Sequence, residues 1–119
     1  GRDTENYRHE FHELLNRAID YAANKPEHVF VISIPDWGVT PFGAEDKRGE
    51  EQIGKEIDLF NAINKEEAEK AKVNYIDITP GSRKAKSDAD LIASDGLHPS
   101  TKMYSEWAIK LVNKIKRRL

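Results

Sequence analysis

The stretch "SDGLHPS", residues 94–100, sets an acid, a glycine, a histidine and a proline close together. An aspartate three residues before a histidine, on a turn, is placed to accept a hydrogen bond from the imidazole Nδ1–H. That bond fixes the tautomer and stabilises the imidazolium as it forms. The outward Nε2 is then a general base for a hydroxyl. Gly96 permits the tight turn, while Pro99 and the element after it hold His98 in place. The same residues also fit a plain surface loop, in which Asp95 caps or turns the backbone and His98 is merely exposed. Spacing alone leaves both readings open, because short matches recur by chance.

The elements that must position this pair are legible from periodicity. Phe11, Leu14, Leu15, Ala18, Ile19 and Ala22 recur at helical spacing, predicting an amphipathic helix over roughly 4–24 that Asn24 and Pro26 stop. "HVFVISI" (28–34) is a nearly continuous apolar, β-branched run ended by Pro35, as expected of a strand buried on both faces. After the loop "PDWGVTPFGAEDKRG" comes a charged helix, roughly 48–71, with the stripe Ile53, Ile57, Phe60, Ile63 (or Asn64 beside it) and Ala68. "VNYIDI" (73–78) reads as a second strand, and residues 79–99 as a long loop with room for one helical turn. Ser100 is placed to cap a last helix whose Met103, Trp107, Leu111 and Ile115 share one face.

Strand, crossover helix and strand make a βαβ unit with parallel strands and helices covering the sheet, which points to a three-layer α/β/α sandwich in a single domain, 1–119. Two parallel strands alone make a poor sheet, so this order implies that further strands complete it. Ligands of open α/β sheets bind at the carboxyl ends of the strands. The loops 35–47 and 79–99 both leave such ends, so Asp95 and His98 fall where a site belongs. Composition narrows the partners. Hydrophobic residues at 38%, charged residues at 34% and a net charge of −2 describe a globular chain without the basic surface that nucleic acid favours. Lys114, Lys116, Arg117 and Arg118 suit the last turn of a helix, where the dipole favours cations. No apolar run approaches a membrane span. The absence of cysteine rules out disulfides, thiolate catalysis and cysteine-zinc sites. There is no signal-peptide pattern, but with no initial Met an upstream targeting segment stays open, and no compartment is assigned.

"DGLHPS" followed by an amphipathic helix with an aromatic residue resembles the last conserved block of the SGNH (GDSL-type) hydrolases, where Asp and His supply two members of a Ser-His-Asp triad. The likeness runs backwards through "YIDIT", the charged helix, "VFVISIPDWGVTP" and "YRHEFHELLNRAI", in order, over essentially the whole chain. It implies an ester hydrolase (esterase or lipase-like) of flavodoxin-like α/β/α architecture, with Asp95 orienting and His98 acting as base. The departure is equally informative. The family's nucleophile lies in a Gly-Asp-Ser block after its first strand, and a Gly and an Asn from two central blocks complete its oxyanion hole. None of these blocks is present. Gly1 and Asn6 do not stand in the family's Gly-x-Asn-Asp arrangement. The resemblance therefore implies the C-terminal portion of such a domain, inactive alone. Its implied partners are a small acyl-ester substrate (lipid, sugar or simple ester) and either the N-terminal half of the same protein or another copy joined through the sheet edge. No cofactor or metal is implied.

Other residues compete with this pair for a chemical role. Ser82, after a strand end and a glycine, is the best-placed substitute nucleophile, though no G-x-S-x-G elbow surrounds it. Ser33 lies within a strand, and turn or cap roles suffice for Ser94 and Ser100. His9, His12 and Glu13 share a helix without H-E-x-x-H spacing, so exposed helix histidines are the simpler reading than a metal. His28 at a strand start needs no role. Asp36 and Trp37 follow the first strand directly; Trp37 or Phe42 could wall a pocket, and Trp37 is taken as the candidate lining residue. Asp77 reads as a strand-end polar group and "KEEAEKAK" as a solvated helix face. A second reading of the chain is a non-catalytic α/β module that binds a partner through an exposed sheet edge. A Gly-Asp-Ser block upstream of Gly1 would decide for the enzyme.

Overall fold

A computed structural model describes residues 3–118 of the chain; Gly1 and the Arg118 side chain lie outside the described residues. Asp3 starts the first helix, α1 (Thr4–Tyr21), by accepting the Glu5 N–H at 3.0 Å. The chain then forms β1 (Phe30–Ile32), a short helix α2 (Pro41–Ala44), the long helix α3 (Gly49–Ala71) and β2 (Asn74–Ile76). A short helix α4 (Thr79–Arg83) and the last helix α5 (Thr101–Arg118) complete it. β1 and β2 are parallel and adjacent, with Val31 opposite Tyr75. The crossover between them carries α3, so the βαβ expectation holds.

The faces of this sheet follow from strand alternation. Val31 points into a cluster with Leu15, Val29, Ala68 and Val73, which α1 and α3 close from one side. Ile53, Ile57, Ile63 and Ala68 of the α3 stripe are buried, and Phe60 is half-buried. Asn64, in the same stripe, is buried as well and accepts the Tyr7 hydroxyl at 2.6 Å. Ile32 faces the other way, where Ile34, Ile78, Trp107 and Leu111 line an open apolar groove with α5. Met103 at the start of α5 is fully buried against Ala85 and Leu91.

Four expectations are corrected. The strands are shorter than 28–34 and 73–78. Pro26–His28 form a 3₁₀ turn, and after Ile32 the ladder gives way to a side chain: Asn61 Oδ1 accepts the Ile34 N–H at 2.8 Å and its amide donates to Ile34 O at 3.2 Å. The 79–99 loop holds three helical turns rather than one, namely α4, Lys84–Lys86 and Ala89–Leu91. The 35–47 loop likewise contains the 3₁₀ turn Trp37–Val39 and α2.

Finally, α1 ends at Tyr21, not near 24. Asn24 N–H bonds Ile19 O at 2.9 Å and Ala23 N–H bonds Asp20 O at 3.1 Å, with Ala23 at φ +56°. This is a Schellman closure built on alanine where glycine is usual. The end of α3 repeats it: Val73 N–H reaches Ala68 O at 3.1 Å, with Lys72 at φ +61°. Because a left-handed conformation is costly for a residue with a Cβ, Lys72→Gly should raise stability by roughly 0.5–1 kcal/mol. A urea midpoint shifted upward at constant slope is the expected result.

The α1–α3 contact carries a buried acid. Glu67 takes Arg8 Nη1 at 2.9 Å and Lys70 Nζ at 3.4 Å, with His12 Nδ1 3.3 Å from its other oxygen. Burial pushes its pKa up, but the hydrogen bonds from Arg8 and Lys70 outweigh burial and hold the carboxyl below its ordinary range. A depressed carboxylate adds stability above its unfolded pKa, about 4.3 for glutamate, and loses it as pH falls through the folded value. Acid unfolding of Glu67→Gln should therefore lose part of its pH dependence below about pH 4.3, read from urea midpoints across pH 2–6.

Candidate active site

The loops that leave β1 and β2 meet at the carboxyl edge of the sheet, and each is fixed from within. Ser82 Oγ accepts the Asp36 N–H at 2.9 Å, tying the first residues after β1 to α4. Asp36 Oδ1 then caps the Trp37–Val39 turn through the Gly38 N–H at 2.9 Å, and Thr40 Oγ1 caps α2 through the Gly43 N–H at 3.0 Å. Gly43 is required by close approach, since a Cβ there would stand 2.4 Å from Trp37 O. From α2 the Phe42 N–H reaches across to Gly96 O at 3.0 Å, which joins the first loop to the turn carrying Asp95 and His98.

That turn is a small closed unit. Ile92 and Pro99 form an antiparallel bridge, and within it Ala93 N–H donates to His98 O at 2.8 Å. Gly96 has φ +75°, a conformation that favours glycine. Asp95 Oδ1 accepts both the Leu97 and His98 N–H groups at 2.9 Å, and Oδ2 meets His98 Nδ1 at 2.5 Å. Beyond it Ser100 Oγ accepts the Met103 N–H at 3.3 Å and donates to Asp90 O at 2.6 Å, anchoring the turn to the start of α5. The Leu97 N–H, then the His98 side chain and the His98 N–H, lower the Asp95 pKa to about 2. Asp95 is thus an anion oriented by its own backbone. His98 Nε2 faces away from it, on a ring whose side chain is 66% exposed.

The other candidates resolve differently. Ser82 is buried, and its hydroxyl donates to Thr79 O at 2.6 Å while accepting from Asp36, so it is occupied as a structural bridge. Ser33 is buried and donates to Asp77 Oδ1 at 3.0 Å. Ser100 is the cap expected of it. His9 pairs with Glu13 at 3.3 Å and His12 turns to Glu67, so the three helix residues do not converge. Among the described residues, no three His, Asp or Glu side chains gather as a metal site would need. Trp37 is half-buried: its ring lies 6.1 Å from Phe42, and the Arg48 guanidinium sits 5.2 Å above it. With Leu97, Pro99 and Trp107 it also lines a small cavity of about 30 Å³ under the turn. A larger groove of about 620 Å³ runs between the two loops, past Pro41, Ala44, Ala85, Ala89, Ile92 and Ala93.

Periodicity and spacing did not reveal the pair Asp36–Arg83. Arg83 Nε donates to Asp36 Oδ2 at 2.9 Å and its Nη2 to Asp58 Oδ1 at 2.8 Å, and the two carboxylates raise the guanidinium pKa. Asp36 stands 47 positions from Arg83, so only its place directly before a Trp-Gly turn hinted at a capping role.

The pKa of Asp95 generates a direct test. Its depressed value means that the turn gains from the carboxylate above the unfolded pKa, about 3.9, and loses that gain as pH falls through about 2. The Asp95 carboxyl ¹³C resonance should titrate with a midpoint near 2. In His98→Ala the midpoint should rise yet stay below the unfolded value, because the two N–H donors persist.

No helix of the described residues is long and apolar enough to cross a membrane. Comparison with curated proteins and with solved structures returned no match. The model of one family, GDSL-like lipase/acylhydrolase, matches residues 2–111, a span that takes in α1, both strands, both loops and the Asp95–His98 turn. With an α/β chain matched over nearly its full length, the protein belongs to the GDSL-like lipase/acylhydrolase family.

Proposed function

We propose that this chain supplies the acid–base part of a Ser-His-Asp ester hydrolase site, with Asp95 orienting and His98 as the base. The observation that carries this reading is the Asp95 Oδ2–His98 Nδ1 hydrogen bond on a turn fixed at both ends. With Nδ1 engaged, Nε2 is the ring nitrogen left to accept a proton. A serine Oγ attacks the ester carbonyl while His98 Nε2 takes its proton, and His98 returns that proton to the leaving alkoxide. A water then repeats the transfer on the acyl-enzyme, releasing the acid and restoring the serine. Asp95 stays ionised throughout and stabilises the imidazolium. No step calls for a metal or cofactor.

The serine and the oxyanion donors belong, on this reading, to Gly-Asp-Ser, Gly and Asn blocks that the chain does not contain. Ser82 is occupied by Thr79 and Asp36. The chain is then the C-terminal portion of a single domain, and its sheet extends into a three-layer α/β/α sandwich. Two features support this. β1 pairs only with β2 among the described residues, and Ile32 and Tyr104, about half exposed, border the apolar groove beside its free edge. The partner at that edge is the N-terminal half of the domain, with a second copy of this chain as the substitute. The substrate is a small acyl ester. The groove of about 620 Å³ is of a size that holds such a ligand, walled by Val39, Pro41 and Ile92; Trp37 lines the small cavity beside it rather than the groove.

The test is hydrolysis of a short-chain aryl ester by the chain, with and without an N-terminal segment carrying the Gly-Asp-Ser block. The chain alone should give no turnover above background. Both together should turn over, and His98→Ala or Asp95→Asn should cut kcat by roughly 10³–10⁴-fold. Turnover by the chain alone that vanishes in Ser82→Ala would make Ser82 the nucleophile. No turnover from the joined segments would leave the chain as a non-catalytic binding module.

A further inference from the structure

Asp36 is a buried carboxylate, 5% exposed, with a charged partner on a different loop. Burying an ion pair is weak support for stability, because desolvation offsets the attraction; what such a pair fixes is geometry. Here it fixes the path to His98. Asp36 uses every polar group it has except its carbonyl: N–H to Ser82, Oδ1 to Gly38, Oδ2 to Arg83. Arg83 is in turn held by Asp58 on α3. The turn that Asp36 caps presents Trp37 O, which accepts from Thr40 Oγ1 at 2.6 Å, and Thr40 caps α2. From α2 the Phe42 N–H holds Gly96 O. A second path is direct packing: Asp36, Trp37 and Thr40 line the same small cavity as Leu97 and Pro99, the two neighbours of His98.

We infer that Asp36 and Arg83 are positioning residues for His98, locking the loop after β1 so that α2 holds the Asp95–His98 turn in its working geometry. The inference rests on the hydrolase reading for its catalytic consequence, but not for its structural one. Neither residue touches the imidazole. Their action runs through the Phe42–Gly96 bond and the Leu97 and Pro99 contacts. Asp36→Asn keeps an oxygen for the Gly38 N–H while removing the charge that holds Arg83, so it addresses the pair rather than the cap.

The experiment uses the whole chain and three variants: Asp36→Asn, Arg83→Met and Arg83→Lys. Amide exchange at Phe42 and the ¹⁵N signals of the His98 ring are read by NMR, with Ala68 as a report on the α1–α3 core. In Asp36→Asn and Arg83→Met, Phe42 protection should fall at least tenfold and the His98 ring should leave its single Nδ1–H tautomer, while Ala68 stays protected. Arg83→Lys, which keeps the charge, should recover part of both. Unchanged Phe42 and His98 signals in a folded Arg83→Met overturn the inference. So does protection lost equally at Ala68 in all three variants, which is a general structural effect. With the N-terminal segment added, Asp36→Asn should lower kcat with KM little changed, and an unchanged kcat also overturns it. Absence of turnover in the unsubstituted pair sinks the hydrolase reading instead and leaves the NMR result standing.

Discussion

Ser33 closes the parallel pair at the point where both chains leave it, and the site depends on that closure. Its hydroxyl donates to Asp77 Oδ1 at 3.0 Å and accepts the Ile78 N–H at 2.8 Å, with Thr79 Oγ1 2.8 Å away. Thr79 Oγ1 in turn reaches Ile34 O at 2.7 Å and takes the Asn61 amide at 2.9 Å. A ladder of three residues a strand is too short to hold its own ends. Side chains from the residue after β1, from α3 and from the residues after β2 take over the hydrogen bonds that further ladder would have made. Buried polar groups are tolerated when they are paired, and these are. The result is that the two loops depart from one fixed point, with Asp36 and Ser82 already in contact.

The Asp95–His98 pair has a different source of order. Both side chains are about half exposed or more, and an exposed ion pair contributes little by attraction alone. Orientation comes from the backbone. The two N–H groups accepted by Asp95 Oδ1 hold the carboxylate, and the Ile92–Pro99 bridge and the Ser100 cap hold the chain on each side. Such a unit is almost wholly local, spanning few residues and needing one glycine. That is why a stretch of seven letters was enough to raise it.

Locality also explains what was and was not legible. The existence of the helices expected at roughly 4–24 and 48–71, the parallel order and the capping by Ser100 all followed from periodic or adjacent residues. The strand ends did not, because Asn61 takes the Ile34 backbone from 27 positions away, from a helix position outside the apolar stripe that the pattern marks. The end of α3 falls at 71 as the pattern places it, whereas α1 stops at Tyr21, short of the Asn24 and Pro26 signals, because its left-handed residue Ala23 is not glycine and does not mark the stop. Arg83 sat in a stretch read as loop, and its two carboxylates lie on α3 and after β1. Pairings of that span leave no trace in spacing. Only the resemblance of "DGLHPS" to a family block gave the dyad its meaning beyond a surface turn.

The two faces of the sheet are unequal, and this inequality bears on the chemistry. On the Val31 side, α1 and α3 close a cluster in which Leu15 and Ala68 are nearly inaccessible to solvent. On the Ile32 side, α5 covers β2 but leaves a groove of about 570 Å³ bordered by Ile32, Tyr104 and Trp107. The His98 turn leads directly into α5, whose Tyr104 and Trp107 border this open groove. A segment that covered this groove would bury apolar surface, at about 25 cal/mol per Å² removed from water. Charges that attract weakly in water attract far more strongly when water is displaced. On the proposed reading, a segment that completes the sheet would hide Ile32, and where it also displaced water from the Asp95–His98 turn it would strengthen that pair.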